Sequence, residues 1–266
     1  MTISLRTLHY LPSRWEGTTW LSTQPAGRRW GHAVVPPCLR LLGAFQLASP
    51  ADGIIGVPPT GQRVLAYLGL HETVTRTALA GLLWPDVTEE HAQGSLRTAL
   101  WRLQRAGHPV VECRGDVLVL LSGVTVDVHA VSRTALRAVD CPEAFGDQLP
   151  LELLSFGDLL LGWEEEWVMI ERERLRQLRL HALESLSVAL ADRGRHGLAL
   201  EAALACVAMA PLRESAHRAV TAVHLAENNV AEAYRQYEAF RRMIHDELGM
   251  APSARFTSML PPGRPG

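Results

Sequence analysis

Residues 75–120 carry the feature that most constrains the fold, two helical segments separated by a short link and followed by a β-rich hairpin. The first segment, "TRTALAGLLW", begins with Thr75, whose side chain can cap a helix, and is stopped by Pro85. Thr88 can cap the second segment after the link. The stretch "VVECRGDVLVLLSGVTVDVHA" then predicts strands around a turn at Gly115. This order predicts a winged helix-turn-helix.

The segments on either side complete the outline of two halves. Upstream, "CLRLLGAFQLASPADGIIGVPP" predicts two short strands around an Asp-Gly turn at 52–53, and "TGQRVLAYLGLH" predicts a helix capped by Thr60. Downstream, residues 137–160 are rich in Pro and Gly and read as a connection. From Gly162 onward the chain reads as wholly helical and starts with the long amphipathic segment "WEEEWVMIERERLRQLRLHALESLSVALADRG".

A repeat of 34 residues lies within the helical half. Aligning Gly194 with Asn228 pairs Ala199 with Ala233, and it also pairs Leu200 with Tyr234 and Ala203 with Tyr237. This spacing is typical of tetratricopeptide helix pairs, although a plain helical bundle is an open alternative.

The second helix of the helix-turn-helix, within "SLRTALWRLQRAG", has two unlike faces. At about 100° per residue, one stripe is apolar: Ala92, Leu96, Ala99, Leu100 and Leu103. The opposite face carries Thr98, Trp101 and Arg105, with Arg97 and Arg102 on its flanks. Two interpretations are open: a solvated face whose long side chains cover neighbouring apolar surface, or a face that meets a polyanion.

Composition excludes several other classes of protein. The chain has no lysine to complete a phosphate-binding loop, and its histidines form no HExxH motif or nucleophile constellation. Its four cysteines are scattered without zinc spacing: Cys38, Cys113, Cys141 and Cys206. We therefore expect no enzyme activity, no cofactor and no metal. No apolar run approaches the roughly 20 residues of a membrane span, and the start lacks a signal-peptide core, so a cytoplasmic protein is expected.

The run "WEEEW" could suggest a metal site, but three consecutive glutamates point in three directions around a helix. Negative charge at a helix start is the favoured interpretation. The pair Trp163 and Trp167, one turn apart, is interpreted as core rather than as a ligand cage.

Two linked sets of motifs resemble a known family. "LRLLGAF…VPPTGQRVLAYLGLH…LAGLLWPD…SLRTALWRLQRAG…VDVHAV" resembles the DNA-binding half of the Streptomyces antibiotic regulatory protein (SARP) family. "GDLLLGWEEEWVMIERERLRQLRLHALESL…AMAPLRESAHRAV…AYRQYEAFRRMIHDELGMAPS" resembles the bacterial transcriptional activator domain that follows it there. The resemblance is to the short form of the family. It departs at Gln104, where relatives usually have Arg, and in an N-terminal extension longer than short members usually carry.

The resemblance implies a fold and a division into domains. The fold is mostly α, with an N-terminal OmpR-like winged helix-turn-helix (α+β) followed by an all-α tetratricopeptide-like domain. The expected ranges are a poorly ordered N-terminal extension at 1–36, the DNA-binding domain at 37–135, a connection at 136–160, the activator domain at 161–260 and a tail at 261–266.

The resemblance also implies a function. A SARP-family protein is expected to be a sequence-specific transcriptional activator of an antibiotic biosynthetic cluster. Its expected partners are double-stranded DNA with direct repeats in the promoter, RNA polymerase including its sigma subunit, and a second copy on DNA. Such a protein would lie in the cytoplasm, associated with the nucleoid. Two alternatives are open: a tetratricopeptide-type adaptor for a protein partner, and a repressor with the same fold.

Carried onto this sequence, the resemblance implies a set of DNA-binding residues. Arg114 at the hairpin tip could reach the minor groove or a phosphate, or be merely solvated, while Thr75 and Arg76 could contact phosphate at a helix N-terminus. The full expected set is Arg97, Thr98, Trp101, Arg102, Arg105, Arg114, Thr75 and Arg76.

The phase of the helix that carries the apolar stripe yields a stability prediction. Changing Leu100 or Leu103 to Ala should lower the free energy of unfolding by about 2–5 kcal/mol, because each substitution leaves a cavity in the core. Urea unfolding of the two variants tests this. An unchanged midpoint in both would mean that the helix is rotated away from the predicted phase.

Overall fold

A computed structural model of the protein describes residues 37–49, 53–105, 110–146, 150 and 157–261. The predicted extension at 1–36, Asp52 of the predicted turn and residues 262–266 of the predicted tail lie outside the described residues.

The N-terminal half mixes strands and helices. The strands are β1 (Cys38–Arg40), β2 (Gln46–Ser49), β3 (Gly53–Ile55), β4 (Thr73–Thr75), β5 (Val111–Arg114), β6 (Val117–Leu120) and β7 (Thr125–Val126). The helices are α1 (Pro59–Leu70), α2 (Arg76–Leu83) and α3 (Glu89–Arg105). One sheet has the order β3-β2-β1-β7, in which β1 is antiparallel to β2 and parallel to β7. The other has the order β4-β6-β5 and is antiparallel throughout.

The second half of the described chain is helical. Its elements are α4 (Asp127–Asp140), a 3₁₀ helix (Pro142–Phe145), α5 (Glu166–Asp192), α6 (His196–Met209), α7 (Glu214–Ala226), α8 (Val230–Leu248) and α9 (Ala254–Thr257). The predicted fold class is confirmed: a helix-turn-helix with a β-hairpin wing precedes stacked helix pairs. No described helix is both long and apolar enough to cross a membrane.

Three local predictions in the N-terminal half need correction. The first sheet has three strands before α1, where the sequence predicted two. Helix α1 begins at Pro59, so Thr60 lies inside it and does not cap it; the fixed φ of proline suits this first position. Strand β4 was not predicted, because its pairing is with β6, more than 40 residues away.

Helix α4 also differs from the prediction. The letters "VDVHA" were expected to continue the β-rich stretch, yet the helix starts at Asp127 within them and runs through the expected boundary at 135–136. The Asp127 carboxylate accepts hydrogen bonds from the backbone N–H groups of Leu41 and Leu42 and from that of Val128. Its negative charge at the helix start stabilises the helix dipole while it holds α4 to the end of β1.

The 34-residue repeat is visible in the backbone. Gly194 and Asn228 both adopt a positive φ, +71° and +60°, directly after the first helix of each pair. In each case the next residue donates a backbone hydrogen bond to a carbonyl five residues earlier, Arg195 to Leu190 and Asn229 to His224. The matched residues Ala199 and Ala233 are both fully buried. Helices α5–α6 and α7–α8 are therefore equivalent pairs.

The two halves share one hydrophobic core. Leu159 and Leu160, just before α5, are buried together with residues of β1 and α1, and Trp167, Val168 and Leu175 of α5 belong to the same cluster. The ring of Trp167 lies edge-on to that of Trp163 at 6.3 Å and to that of Tyr67 of α1 at 5.4 Å. The interpretation of the tryptophan pair as core is thus correct.

A buried histidine links α7 to its neighbours. His217 is 2% exposed, and its ring packs 4.5 Å from that of Phe240. Its Nε2 is 2.7 Å from the Pro211 carbonyl oxygen, and its Nδ1 is 2.8 Å from Nε2 of Gln236. A neutral ring that carries its proton on Nε2 satisfies both bonds. Burial lowers the pKa of His217 below its ordinary value, against the opposing effect of the bond to Pro211.

This histidine predicts a pH dependence of stability. Since the pKa of His217 is lower in the folded chain, the unfolded chain binds the proton first as pH falls below about 6.5. The free energy of unfolding should therefore decrease from that pH downward. Urea titrations between pH 8 and 5 should show a smaller decrease for His217→Gln than for the native chain. The exposed His245 supplies the control, His245→Gln; an equal slope in all three proteins would contradict the assignment.

Candidate nucleic-acid interface

Helix α3 presents one buried face and one open face. The predicted apolar stripe is buried, with Leu96 1%, Leu100 5% and Leu103 4% exposed. On the opposite side the five predicted α3 residues are all exposed: Arg97, Thr98, Trp101, Arg102 and Arg105. The helix is held to α2 by a hydrogen bond from the Gln93 amide to the Thr77 hydroxyl, 3.1 Å long. The sequence phase of α3 is therefore correct, and its polar face is open.

The arginines of the open face form no ion pair with a carboxylate in the described part of the chain. These arginines are Arg97, Arg102 and Arg105, and after Glu90 the helix has no acidic residue through Arg105. The helical half differs, since many of its arginines are paired, among them Arg174, Arg176, Arg213, Arg218, Arg235 and Arg241. We term the open face of α3 the basic face; its members are Arg97, Thr98, Trp101, Arg102 and Arg105.

Two residues of the basic face contact each other. The guanidinium carbon of Arg105 lies over the Trp101 ring, 4.9 Å from its centroid, within the range of a cation–π interaction. Trp101 remains 53% exposed despite this contact. Thr98 donates its hydroxyl proton to the Gly94 carbonyl at 2.9 Å, so its methyl group and an oxygen lone pair are what it can offer to a ligand.

The wing arginine is already paired. Arg114 donates two hydrogen bonds to the Glu112 carboxylate, from Nε at 3.1 Å and from Nη2 at 2.9 Å. The bonds from Arg114 lower the pKa of the Glu112 carboxyl, so the pair holds one charge of each sign. Residues two apart on a strand lie on the same face. The spacing of Glu112 and Arg114 was therefore a signal in the sequence for this pairing, which the expected DNA contact of Arg114 did not take into account.

Thr75 and Arg76 lie at the seam between α2 and the wing. The Thr75 hydroxyl accepts a hydrogen bond from the Ala78 N–H, which confirms the predicted cap. The Arg76 N–H donates to the Asp116 carbonyl at 2.9 Å, and its guanidinium Nη2 is 3.1 Å from Sγ of Cys113. Both residues thus have structural partners, and a role for them at phosphate stays a prediction.

A cleft of about 620 Å³ runs beside the basic face. Its lining includes Arg97 and Arg102, together with Thr60 of α1, Trp84 of the α2–α3 link and Glu90. Trp84 and Glu90 were not among the expected site residues. Glu90 lies on α3 seven residues before Arg97, a helical spacing that could have identified it, whereas Trp84 reaches this edge through the fold of the α2–α3 link. Among the described residues no cluster of three or more His, Cys, Asp or Glu side chains could hold a metal ion.

Comparisons with known proteins agree with this architecture. A protein-family profile described as "Bacterial transcriptional activator domain" matches residues 150–260. The regulatory protein AfsR of Streptomyces coelicolor is 29% identical over 225 residues, which cover 80% of this chain and 22% of AfsR. The chain therefore spans about a fifth of the length of that relative.

A solved structure shares the fold. Mycobacterium tuberculosis EmbR, in complex with a low affinity phosphopeptide, aligns with a TM-score of 0.67 over 85% of this chain and 66% of that one. At 19% identity this similarity shows the fold alone. Together, the domain match, the relative and the shared fold confirm that the chain resembles the Streptomyces antibiotic regulatory protein family of transcription regulators, with a bacterial transcriptional activator domain at residues 150–260.

Proposed function

We propose that the protein is a sequence-specific DNA-binding transcriptional activator, and that it controls a secondary-metabolite cluster by binding direct repeats in its promoters and recruiting RNA polymerase. The observation that carries the DNA-binding part is the basic face of α3. Its arginines are left exposed and without carboxylate partners, on the helix that a winged helix-turn-helix places in the major groove. The fold supplies the geometry and the basic face supplies the charge.

The contacts divide by chemistry. Arg97 and Arg102 flank the face and border the cleft, so we assign them to the phosphates that run along each side of the groove. Thr98, Trp101 and Arg105 lie on the outermost line of the helix and are assigned to base edges. Arg114, Thr75 and Arg76 are proposed as supporting phosphate contacts at the wing and at the start of α2. For Arg114 this requires exchange of Glu112 for phosphate.

A second copy would complete the binding unit. The N-terminal half from 37 to 135 balances eight arginines with eight acidic residues, so one copy offers few phosphate contacts and a small contact area. Two copies arranged head to tail on direct repeats would double both. Their recognition helices would face the same side of the duplex when the half-sites are about one helical turn apart.

The activator domain is proposed to meet the transcription machinery, including the sigma subunit of RNA polymerase. This part rests on the profile match at residues 150–260 and on the SARP resemblance. Residues 150–260 contain twelve arginines and sixteen acidic residues, a balance that favours a protein partner over DNA for this half. In this scheme the protein works without catalysis, in the cytoplasm on the nucleoid.

The primary experiment is footprinting of the purified chain on promoter fragments from its own genomic neighbourhood. Protection of two sequence-related segments in the same orientation would support the proposal. Absence of any protection, with the chain folded by circular dichroism, would contradict it and favour a protein-binding adaptor.

The two flanking arginines predict a change in salt dependence. Arg97→Ala and Arg102→Ala should each weaken binding to all duplexes alike. Each should also reduce the slope of log affinity against log salt by about 1, since one fewer phosphate is neutralised. Fluorescence anisotropy at several salt concentrations measures both effects. Arg242→Ala, an exposed arginine of α8, is the matched control and should keep the native slope. Native affinity and slope in both α3 variants would refute the phosphate assignment.

The tandem arrangement predicts a dependence on helical phase. Inserting about 5 base pairs between the half-sites turns one to the opposite side of the duplex, so cooperative binding and activation should both be lost. Inserting about 10 base pairs should restore part of each. Gel shifts and a promoter reporter measure the two effects. Activation that survives the half-turn insertion would mean that the copies act independently.

A further inference from the structure

Trp101 and Arg105 form a cation–π pair whose ring and guanidinium are both exposed. The other such pair among the described residues, Arg137 over Phe145 at 5.3 Å, has a ring that is only partly exposed. Trp101 is the only exposed Trp, Tyr or Phe among the residues that the structure describes. Four residues separate it from Arg105, so both side chains lie on one line of α3. Arg105 lies over its ring at 4.9 Å and has no carboxylate partner among the described residues. An exposed indole and an uncompensated guanidinium are thus held together on the outer line of the basic face.

The contact leaves the N–H donors of the guanidinium without a hydrogen-bond acceptor. An indole has only a donor, its Nε1–H, and no described carboxylate pairs with Arg105, so the guanidinium N–H groups can meet a ligand. Guanine presents two acceptors in the major groove, O6 and N7, that match a pair of such donors. Arg105 can therefore hydrogen-bond a guanine edge while it stays over Trp101.

The contact also determines what the indole can meet. With Arg105 at a guanine edge, the centre of the Trp101 ring lies 4.9 Å from the guanidinium carbon, on the scale of the step of about 3.4 Å between neighbouring base pairs. The indole then reaches the level of the adjacent base pair. The apolar group at that level of the major groove is the thymine methyl, which cytosine and the purines lack.

We infer that Trp101 and Arg105 act as one reading unit for two adjacent base pairs, with Arg105 specifying a guanine and Trp101 specifying a neighbouring thymine through its methyl group. This inference rests on the proposed DNA binding and deepens it, because it names the bases that the face selects. The ring orients Arg105, so loss of the indole weakens both preferences. Loss of the Arg105 fork removes the guanine preference only.

The test is selection of binding sites from a random-sequence duplex library by the full chain and by four variants. Arg105→Lys keeps the charge but replaces the rigid fork of donors by one flexible ammonium, so the guanine preference should fall severalfold while affinity for unrelated duplex stays the same. Trp101→Ala should lose the adjacent thymine preference and part of the guanine preference. Trp101→Phe, which keeps an aromatic ring, should retain part of both. Arg242→Ala should change neither.

Base analogues then examine single atoms in the selected duplex. Replacing the thymine by uracil removes the methyl group and should weaken native binding but leave Trp101→Ala unaffected. Replacing the guanine by 7-deazaguanine removes N7 and should weaken native binding more than binding by Arg105→Lys, which lacks the fixed pair of donors. Circular dichroism of each variant establishes that it is folded.

Three results separate the possibilities. Unchanged base preferences in Arg105→Lys would overturn the inference, because an arginine that only holds phosphate tolerates lysine. Losses at base pairs that are not adjacent would overturn it as well. A native chain that selects no sequence at all would instead contradict the proposed function.

Discussion

The guanidinium of Arg172 fixes the junction on which the two halves depend. It donates hydrogen bonds to the carbonyl oxygens of Leu159, Leu160 and Trp163, at 2.8, 2.8 and 3.0 Å. The same short segment pairs with the end of the first sheet, where the Leu160 N–H donates to the Leu41 carbonyl. Leu160 holds a positive φ of 47°, a conformation that costs a non-glycine residue about 1–3 kcal/mol. The three hydrogen bonds from Arg172 stabilise this segment against that cost and so keep the start of α5 against the N-terminal half.

From this junction, packing extends without a break to α3. Glu165, just before α5, forms an ion pair with Arg63 of α1 at 3.0 Å, and Trp167 contacts Tyr67 one turn further along α1. Helix α1 in turn lies close to α3 at Gly61, where an added Cβ would be 3.0 Å from Cδ2 of Leu103. The position of the basic face is therefore set by residues of the activator domain as well as by its own half. A Cβ at Gly61 would press on the Leu103 side chain, on the buried side of α3 and away from its open face.

The sequence predicted helix ends correctly where the stabilising hydrogen bonds are local in the chain, and missed elements whose stabilising partners are distant in the chain. Thr75 caps α2 by a hydrogen bond with the N–H three residues later, and the helix ends at Gly194 and Asn228 are closed by backbone hydrogen bonds that span five residues. The sequence alone could indicate these features. Strand β4 and the start of α4 could not be predicted in this way. Strand β4 is stabilised by β6, and the start of α4 by the N–H groups of Leu41 and Leu42, all distant in the sequence. In the candidate site, periodicity determined which α3 residues are open. It could not reveal the contact of Arg105 with the Trp101 ring, since that contact depends on side-chain conformation. The pairing of Glu112 with Arg114, by contrast, was signalled by their spacing on one strand face.

The uneven distribution of paired charges affects how the molecule arrives at a polyanion. The chain carries a net charge of −2, and many arginines of α5 to α8 are matched by glutamates, whereas those of the basic face are not. In the part of the chain that the structure describes, a negatively charged rod would therefore attract the basic face more strongly than the paired arginines of the helical half. Such an asymmetry of charge would favour encounters that begin with α3 facing the rod. Ionic strength then controls the rate of productive encounters as well as the lifetime of the complex that follows.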